Sequence, residues 1–134
     1  MNKIEHIGIA VKNLDVSNKV FEALLGEPPY KNEFVESEHV MTSFFKSGPN
    51  KIELLQGTDQ SSPIAKFIEK KGEGIHHIAF AVDDIENEIK RLTNKGFVLI
   101  NESPKKGADN KLVAFLHPKS TNSVLVELCQ EIQG

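Results

Sequence analysis

Four side chains in this chain of 134 residues have the types and placement of a mixed nitrogen–oxygen ligand set: His6, Glu53, His77 and Glu127. Imidazole and carboxylate together suit first-row divalent cations such as Fe, Co, Ni, Zn or Mn. Each stands in an apolar, strand-like stretch: His6 in IEHIGIAV, Glu53 in KIELL, His77 in IHHIAFAV and Glu127 in VLVEL. A carboxylate in such a stretch costs free energy unless it is paired or bound to a metal. Any one of the four, taken alone, reads most simply as a satisfied structural histidine or a solvated strand acid. The case for a site rests on their recurrence.

The chain is written twice. Residues 4–14 read IEHIGIAVKNL and residues 75–85 read IHHIAFAVDDI. Each is an apolar strand pattern ending in Val, then a polar pair, then a helical pattern. The first helix is predicted to run through Val16, Val20, Phe21, Leu24 and Leu25 and to stop at Gly26. The second runs through Ile85, Ile89 and Leu92 and stops at Gly96. Asp15 in one copy and Asp83 or Asp84 in the other are the expected N-caps. Further on, SFFKSGPNKIELL (43–55) and AFLHPKSTNSVLVEL (114–128) each give a strand, a turn and a strand carrying one acid near its end. The histidines lie 71 residues apart and the acids 74, so the second copy is three residues longer between its ligand positions. Each copy reads βαβββ, with the weakest strand patterns at Tyr30–Val35 and Phe97–Ile100. Between the copies Ser62-Pro63 starts a helix that Gly72 ends. The expected organisation is one domain: module one over about 1–58, a connecting helix over about 61–71 and module two over about 73–131.

Strand alternation selects the histidines. His6 shares a face with Gly8 and Ala10, while Ile7, Ile9 and Val11 form the other. In the second copy His77 shares a face with Ala79 and Ala81, whereas His76 falls with Ile78, Phe80 and Val82. His77 is therefore the register match of His6. His39 and His117 have no repeat partner and read as surface or loop residues. Cys129 reads as a small packed residue.

Composition narrows the partners. Lys and Arg total 16 against 19 Asp and Glu, a net charge of −3, which gives no electrostatic reason to bind nucleic acid or an anionic membrane. The apolar run in MNKIEHIGIAV is too short for a signal peptide, and no stretch approaches a membrane span. A single cysteine excludes an intrachain disulfide and fits a reducing cytoplasm.

The stretches HIGIAV, KIELL, SPIAKFIEKKGEGIHHIAFAVDDI and AFLHPKSTNSVLVEL together cover almost the whole chain. On these it resembles the vicinal oxygen chelate superfamily and, within it, the methylmalonyl-CoA epimerase family, to which the last two stretches are fairly specific. The resemblance implies an α+β fold in which two tandem βαβββ modules form a mixed, cupped sheet around a metal site. It implies that His6, Glu53, His77 and Glu127 hold one divalent ion (Co, Ni, Mn or Zn), that the substrate is a small acyl-CoA thioester, and that the protein is a homodimer. The implied reaction is R/S interconversion of methylmalonyl-CoA: removal of the α proton, with the metal stabilising the enolate. Glu127 is the implied first acid/base and Glu53 the candidate for the second. Two departures stand out. Members of that family often carry Gln where this chain has Glu53, and some carry a second catalytic Glu where Thr42 aligns; Glu38 is the nearest acid on its N-terminal side. Lys105, Lys106, Lys111 and Lys119 lie near loops that could meet phosphates. Glyoxalase I (lactoylglutathione lyase) uses the same ligand order and is the competing reading. A ring-opening dioxygenase would use His6, His77 and Glu127 alone, but Glu53 would fill the position oxygen and substrate need. A non-catalytic ligand-binding protein of the same fold is the third alternative.

Overall fold

The computed structural model describes residues 1–132 and divides into two compact units, residues 6–76 and residues 1–5 with the chain from 77 onward. In the first unit the elements are β1 (Lys3–Ala10, in this unit from His6), α1 (Leu14–Leu25), β2 (Lys31–Val35), β3 (Val40–Ser47), β4 (Asn50–Gly57) and α2 (Pro63–Lys71). The strands lie in the order β2-β3-β4-β1. β1 runs parallel to β4 and the other neighbours are antiparallel. A parallel pair needs a long crossover, and α1 with β2 and β3 supplies it.

The two faces of this sheet are covered differently. Ile9, Val11, Met41, Phe45, Ile52 and Leu54 pack under Leu14, Phe21 and Leu25 of α1. On the opposite face Ala10, Val40 and Leu55 pack under Ile64, Phe67 and Ile68 of α2. α2 comes down close to β4 because Gly57 has no side chain: a Cβ there would sit 2.9 Å from Ser62 Oγ and 3.0 Å from Ala65. The rest of that second face, around His6 and Glu53, is left to the site.

The second unit repeats the plan with β5 (Gly74–Ala81, in this unit from His77), α3 (Ile85–Asn94), β6 (Lys105–Lys106), β7 (Lys111–Leu116) and β8 (Val126–Glu131). The order is β5-β8-β7-β6, again with the first strand parallel to the last. α3 covers Val82, Ala114, Leu116 and Leu128 through Ile85, Ile89 and Leu92. The other face carries Ala79, Val113, Phe115 and Cys129. The doubled βαβββ plan read from the sequence is thus the observed one.

Three local expectations are corrected. The N-cap of α1 is Asn13, whose side chain accepts from the Val16 N–H, and Asp15 lies inside the first turn. In α3 the cap is Asp84, accepting from Asn87. α1 carries two apolar stripes rather than one: Phe21 and Leu25 pack on the sheet, whereas Val16, Val20 and Leu24 are 60%, 57% and 71% exposed. Residues 97–100 make no strand; Leu99 forms one isolated bridge to Leu116, and the edge of the sheet is completed by Lys105–Lys106. The backbone bonds Ile100 N–H to Phe115 O and His117 N–H to Val98 O flank that bridge, so the edge is paired twice over short lengths.

The cap assignment has a direct check. Asn13→Ala should lower unfolding free energy by about 1 kcal/mol. Asp15→Ala, which loses only a charge near the helix N-terminus, should cost roughly half that or less. Urea denaturation of the two variants decides which residue caps α1.

Candidate metal centre

In the first unit Glu53 on β4 stands opposite Gly8 on the parallel strand β1, two residues past His6. Residues two apart on a strand share a face, so the acid lies diagonal to the histidine across a position without a side chain. The carboxylate and imidazole meet over it: Glu53 Oε2 is 3.0 Å from His6 Nδ1, and the side chains are 6% and 5% exposed. The second unit repeats the construction. Glu127 on β8 stands opposite Ala79, two residues past His77. Its Oε1 is 3.1 Å from His77 Nε2, with the side chains 8% and 6% exposed. The pairs differ in the ring nitrogen presented, Nδ1 in one and Nε2 in the other.

The outer neighbour of each acid is also repeated. Phe44 on β3 lies opposite Glu53, and Phe115 on β7 lies opposite Glu127. Phe44 is fully buried. Phe115 meets the His77 ring edge-on, with centroids 5.9 Å apart at 80°. Each His–Glu pair is thus bounded by a small residue on the inner strand and a phenylalanine on the outer one. Such walls exclude water and strengthen every charge interaction between them. The two phenylalanines were not singled out in the sequence, although the signal was there. Phe44 precedes its acid by 9 residues and Phe115 by 12, which places the three extra residues of the second copy in the turn between those strands.

The donor chemistry fits a divalent cation. Among the described residues, the buried His and Glu donors of the kind that could hold a metal ion are two imidazoles, His6 and His77, and three carboxylates, Glu5, Glu53 and Glu127; Glu5 was not singled out in the sequence. A buried carboxylate requires a compensating positive partner, and the cation is one that would satisfy both members of a pair. In each pair an imidazole nitrogen and a carboxylate oxygen already converge, 3.0 Å apart in one and 3.1 Å in the other.

Cys129 has a definite place beside the second pair. Its thiol donates to Glu127 Oε2 at 2.8 Å, so both oxygens of Glu127 are engaged. His76 packs edge-on against Phe67 at 5.0 Å, away from the His–Glu role. His39 pairs with Asp59 at 3.1 Å on the surface, and His117 Nδ1 accepts from the Lys119 N–H. Thr42 is 1% exposed and faces Glu33 on one side and Leu55 on the other. Glu38 lies in a short 3-10 turn ahead of β3. Of the lysines considered for phosphate contact, Lys105 and Lys106 form β6. Lys119 sits in a 3-10 turn. Lys111 is the first residue of β7, directly after the 3-10 turn Ala108–Asn110, and is buried 3.7 Å from Glu131.

The burial of Cys129 is measurable. A bulky disulfide reagent should leave it unmodified in the native protein and should titrate one thiol per chain in denaturant. Rapid modification without denaturant would contradict the packing described.

Residues 5–115 match the Glyoxalase/Bleomycin resistance protein/Dioxygenase superfamily. A mitochondrial methylmalonyl-CoA epimerase of Dictyostelium discoideum is 42% identical over 134 residues, covering 96% of this chain and 78% of that protein. The ethylmalonyl-CoA/methylmalonyl-CoA epimerase of Cereibacter sphaeroides is 41% identical over 133 residues, covering 97% and 98%. Among solved structures, a variant methylmalonyl-CoA epimerase of Streptomyces coelicolor in complex with 2-nitronate-propionyl-CoA aligns with a TM-score of 0.94. The identity there is 31% over 99% of both chains.

Proposed function

From a chain that belongs to the methylmalonyl-CoA epimerase family of the glyoxalase/bleomycin resistance protein/dioxygenase superfamily, we propose an isomerase that interconverts the R and S forms of methylmalonyl-CoA with one divalent cation held by His6, Glu53, His77 and Glu127. The observation that carries this reading is the duplicated, buried His–Glu pair. A cation so bound supplies Lewis-acid stabilisation of the negative charge that develops on the thioester oxygen.

The α carbon of the substrate is acidic because it lies between a carboxylate and a thioester. Inversion needs its proton removed from one face and another delivered to the opposite face. Glu127 is the base for one face. Its carboxylate is aimed by two contacts, His77 on Oε1 and Cys129 on Oε2, and fixed aim is worth rate. Glu53 is the candidate for the other face, a role for which a carboxylate qualifies and an amide does not. A carboxylate that also held the cation would be a weaker base than a free one. The phenylalanines beside both acids keep bulk water from competing for that proton.

The test uses chirally pure methylmalonyl-CoA in deuterated water. The native protein should place deuterium at the α carbon and racemise the substrate, and should form no lactoylglutathione from the hemithioacetal of methylglyoxal and glutathione. Glu127→Gln should lower exchange by roughly two orders of magnitude or more while metal analysis still finds an ion bound. His77→Ala should lose the ion itself. Lactoylglutathione formation without deuterium incorporation would replace this reading with glyoxalase I.

We also propose a cytoplasmic homodimer. The exposed stripe Val16, Val20 and Leu24 on α1 supports self-association, since contiguous exposed apolar surface marks interaction sites. Val20→Glu should convert a dimer to a monomer by light scattering; an unchanged mass would place the interface elsewhere.

A further inference from the structure

The site face of the second unit carries a buried ammonium in addition to its His–Glu pair. Successive residues of β7 point to opposite sides. Val113 and Phe115 lie with Ala79 and Cys129 on the site face, whereas Ala114 and Leu116 pack under α3. Lys111 has the parity of Val113 and Phe115 and therefore stands on the site face. The register carries the pattern across the strands: Phe115 lies opposite Glu127, Val113 opposite Cys129 and Lys111 opposite Glu131. Lys105 on β6 lies opposite Val113 and is partly covered.

Lysine is almost never fully buried unless it is paired. Lys111 is 8% exposed and is the one lysine buried among the described residues. An ammonium has several N–H donors to satisfy. Yet Glu131 Oε1, at 3.7 Å, lies beyond hydrogen-bond length and belongs to a side chain that is 79% exposed. A carboxylate so exposed is solvated and compensates a buried charge weakly. The backbone fixes Lys111 in place. Its carbonyl accepts from the Gly107 N–H at 2.9 Å, and the neighbouring Asn110 carbonyl accepts from the Ile132 N–H at 3.2 Å. Gly107 itself lies against Val113, where a Cβ would come within 3.0 Å of that side chain. Between Lys111 and Glu127 the floor is Val113 and Cys129, both buried and uncharged.

We propose that Lys111 recognises the free carboxylate of the acyl group and so selects a malonyl-type thioester over a neutral one. This deepens the proposed function and rests on it for the identity of the thioester. The placement suits the chemistry. Lys111 and Glu127 are separated by four residues along the strand pair, about 13 Å. Glu127 reaches along that line, because its Oε2 meets Cys129, which lies between the two. A lysine side chain spans most of the remaining distance and leaves a gap of the size of the reacting carbon and its carboxylate. A positioned, buried ammonium binds a carboxylate through charge-assisted hydrogen bonds at small ordering cost. It also aids the chemistry. Removing the α proton builds negative charge next to a carboxylate that is already negative, and a cation on that carboxylate lowers the cost. Glu131 competes with the substrate for the same ammonium and moderates the affinity.

The experiment compares racemic methylmalonyl-CoA with propionyl-CoA by calorimetry, two ligands that share the carrier and differ by the carboxylate alone. The native protein should prefer methylmalonyl-CoA. Lys111→Met keeps the length of the side chain without its charge. It should shrink that preference about tenfold or more and leave propionyl-CoA binding unchanged, while Lys111→Arg should retain most of the preference. Glu131→Gln should act in the opposite sense and widen it, a result that loss of a purely structural ion pair would not give. Undiminished preference in Lys111→Met would overturn the assignment. An equal loss of propionyl-CoA affinity would also overturn it and make the lysine a contact of the carrier. Should Lys111→Met fail to fold, the Glu131→Gln protein decides, since an unchanged or narrowed preference there would sink the proposal. If the native protein does not epimerise methylmalonyl-CoA yet its preference falls in Lys111→Met, the assignment stands and the proposed reaction falls. If epimerisation proceeds and the preference survives in Lys111→Met, the reaction stands and the assignment falls.

Discussion

A carboxylate buried beside an imidazole, across two parallel strands, is the interaction from which the rest of each unit follows. Stripping a carboxylate of water in an apolar sheet is tolerable only with a partner that supplies positive charge or donated hydrogen bonds. Both Glu53 and Glu127 find that partner on the neighbouring strand, displaced by two residues. The displacement demands that the intervening position carry almost nothing, and Gly8 and Ala79 meet that demand. In both units the strands that carry the pair run parallel. Parallel pairing in turn requires a crossover, which is why a helix and two strands intervene between the histidine strand and the acid strand in each unit.

The crossover decides how the two sheet faces are used. One face must be sealed by the crossover helix, and α1 and α3 do this with ordinary aliphatic packing. The other face is then released from that duty and can carry polar chemistry, provided its edges are kept dry. Phe44 and Phe115 supply the dry outer edge at the same register position in both units. α2 closes one end of the first unit's site face over Ala10, Val40 and Leu55. Its close approach depends on the bare backbone at Gly57.

Much of this was legible in the sequence because duplication is a strong signal and strand alternation is a strict one. The choice of His77 over His76 needed only the face rule, and the packing of His76 on Phe67 agrees with it. The parts that were not legible depend on three-dimensional competition. Asn13 and Asp15 are both good caps by type, and only the register of α1 on the sheet decides between them. Val16, Val20 and Leu24 have the same helical spacing as core residues, so periodicity alone assigns them inward, whereas α1 has room to bury one stripe only. The 97–100 segment has strand-like residues but gains just one bridge, since Lys105–Lys106 take the remaining edge of β7. The importance of Phe44 and Phe115 was invisible because an apolar residue in a strand invites no comment until its cross-strand neighbour is known to be an acid.

Register also explains how a uniform sheet can hold a gradient of chemistry. Across the first unit's site face, the row of His6, Lys51 and Lys46 is basic. The next, through Glu53 and Phe44 to Lys31, alternates charge with aromatic surface. The one after, through Ala10, Leu55 and Thr42 to Glu33, is nearly apolar and runs under α2. A carboxylate at position 42 would lie in that last row, where its neighbours on the sheet are Leu55 and Glu33, one apolar and one of like charge. Neither compensates a buried anion. Threonine, small and uncharged, is the residue this row accommodates without a partner charge. The carboxylates on this face that do have a positive or imidazole partner beside them are Glu53, paired with His6, and Glu33, paired with Lys31.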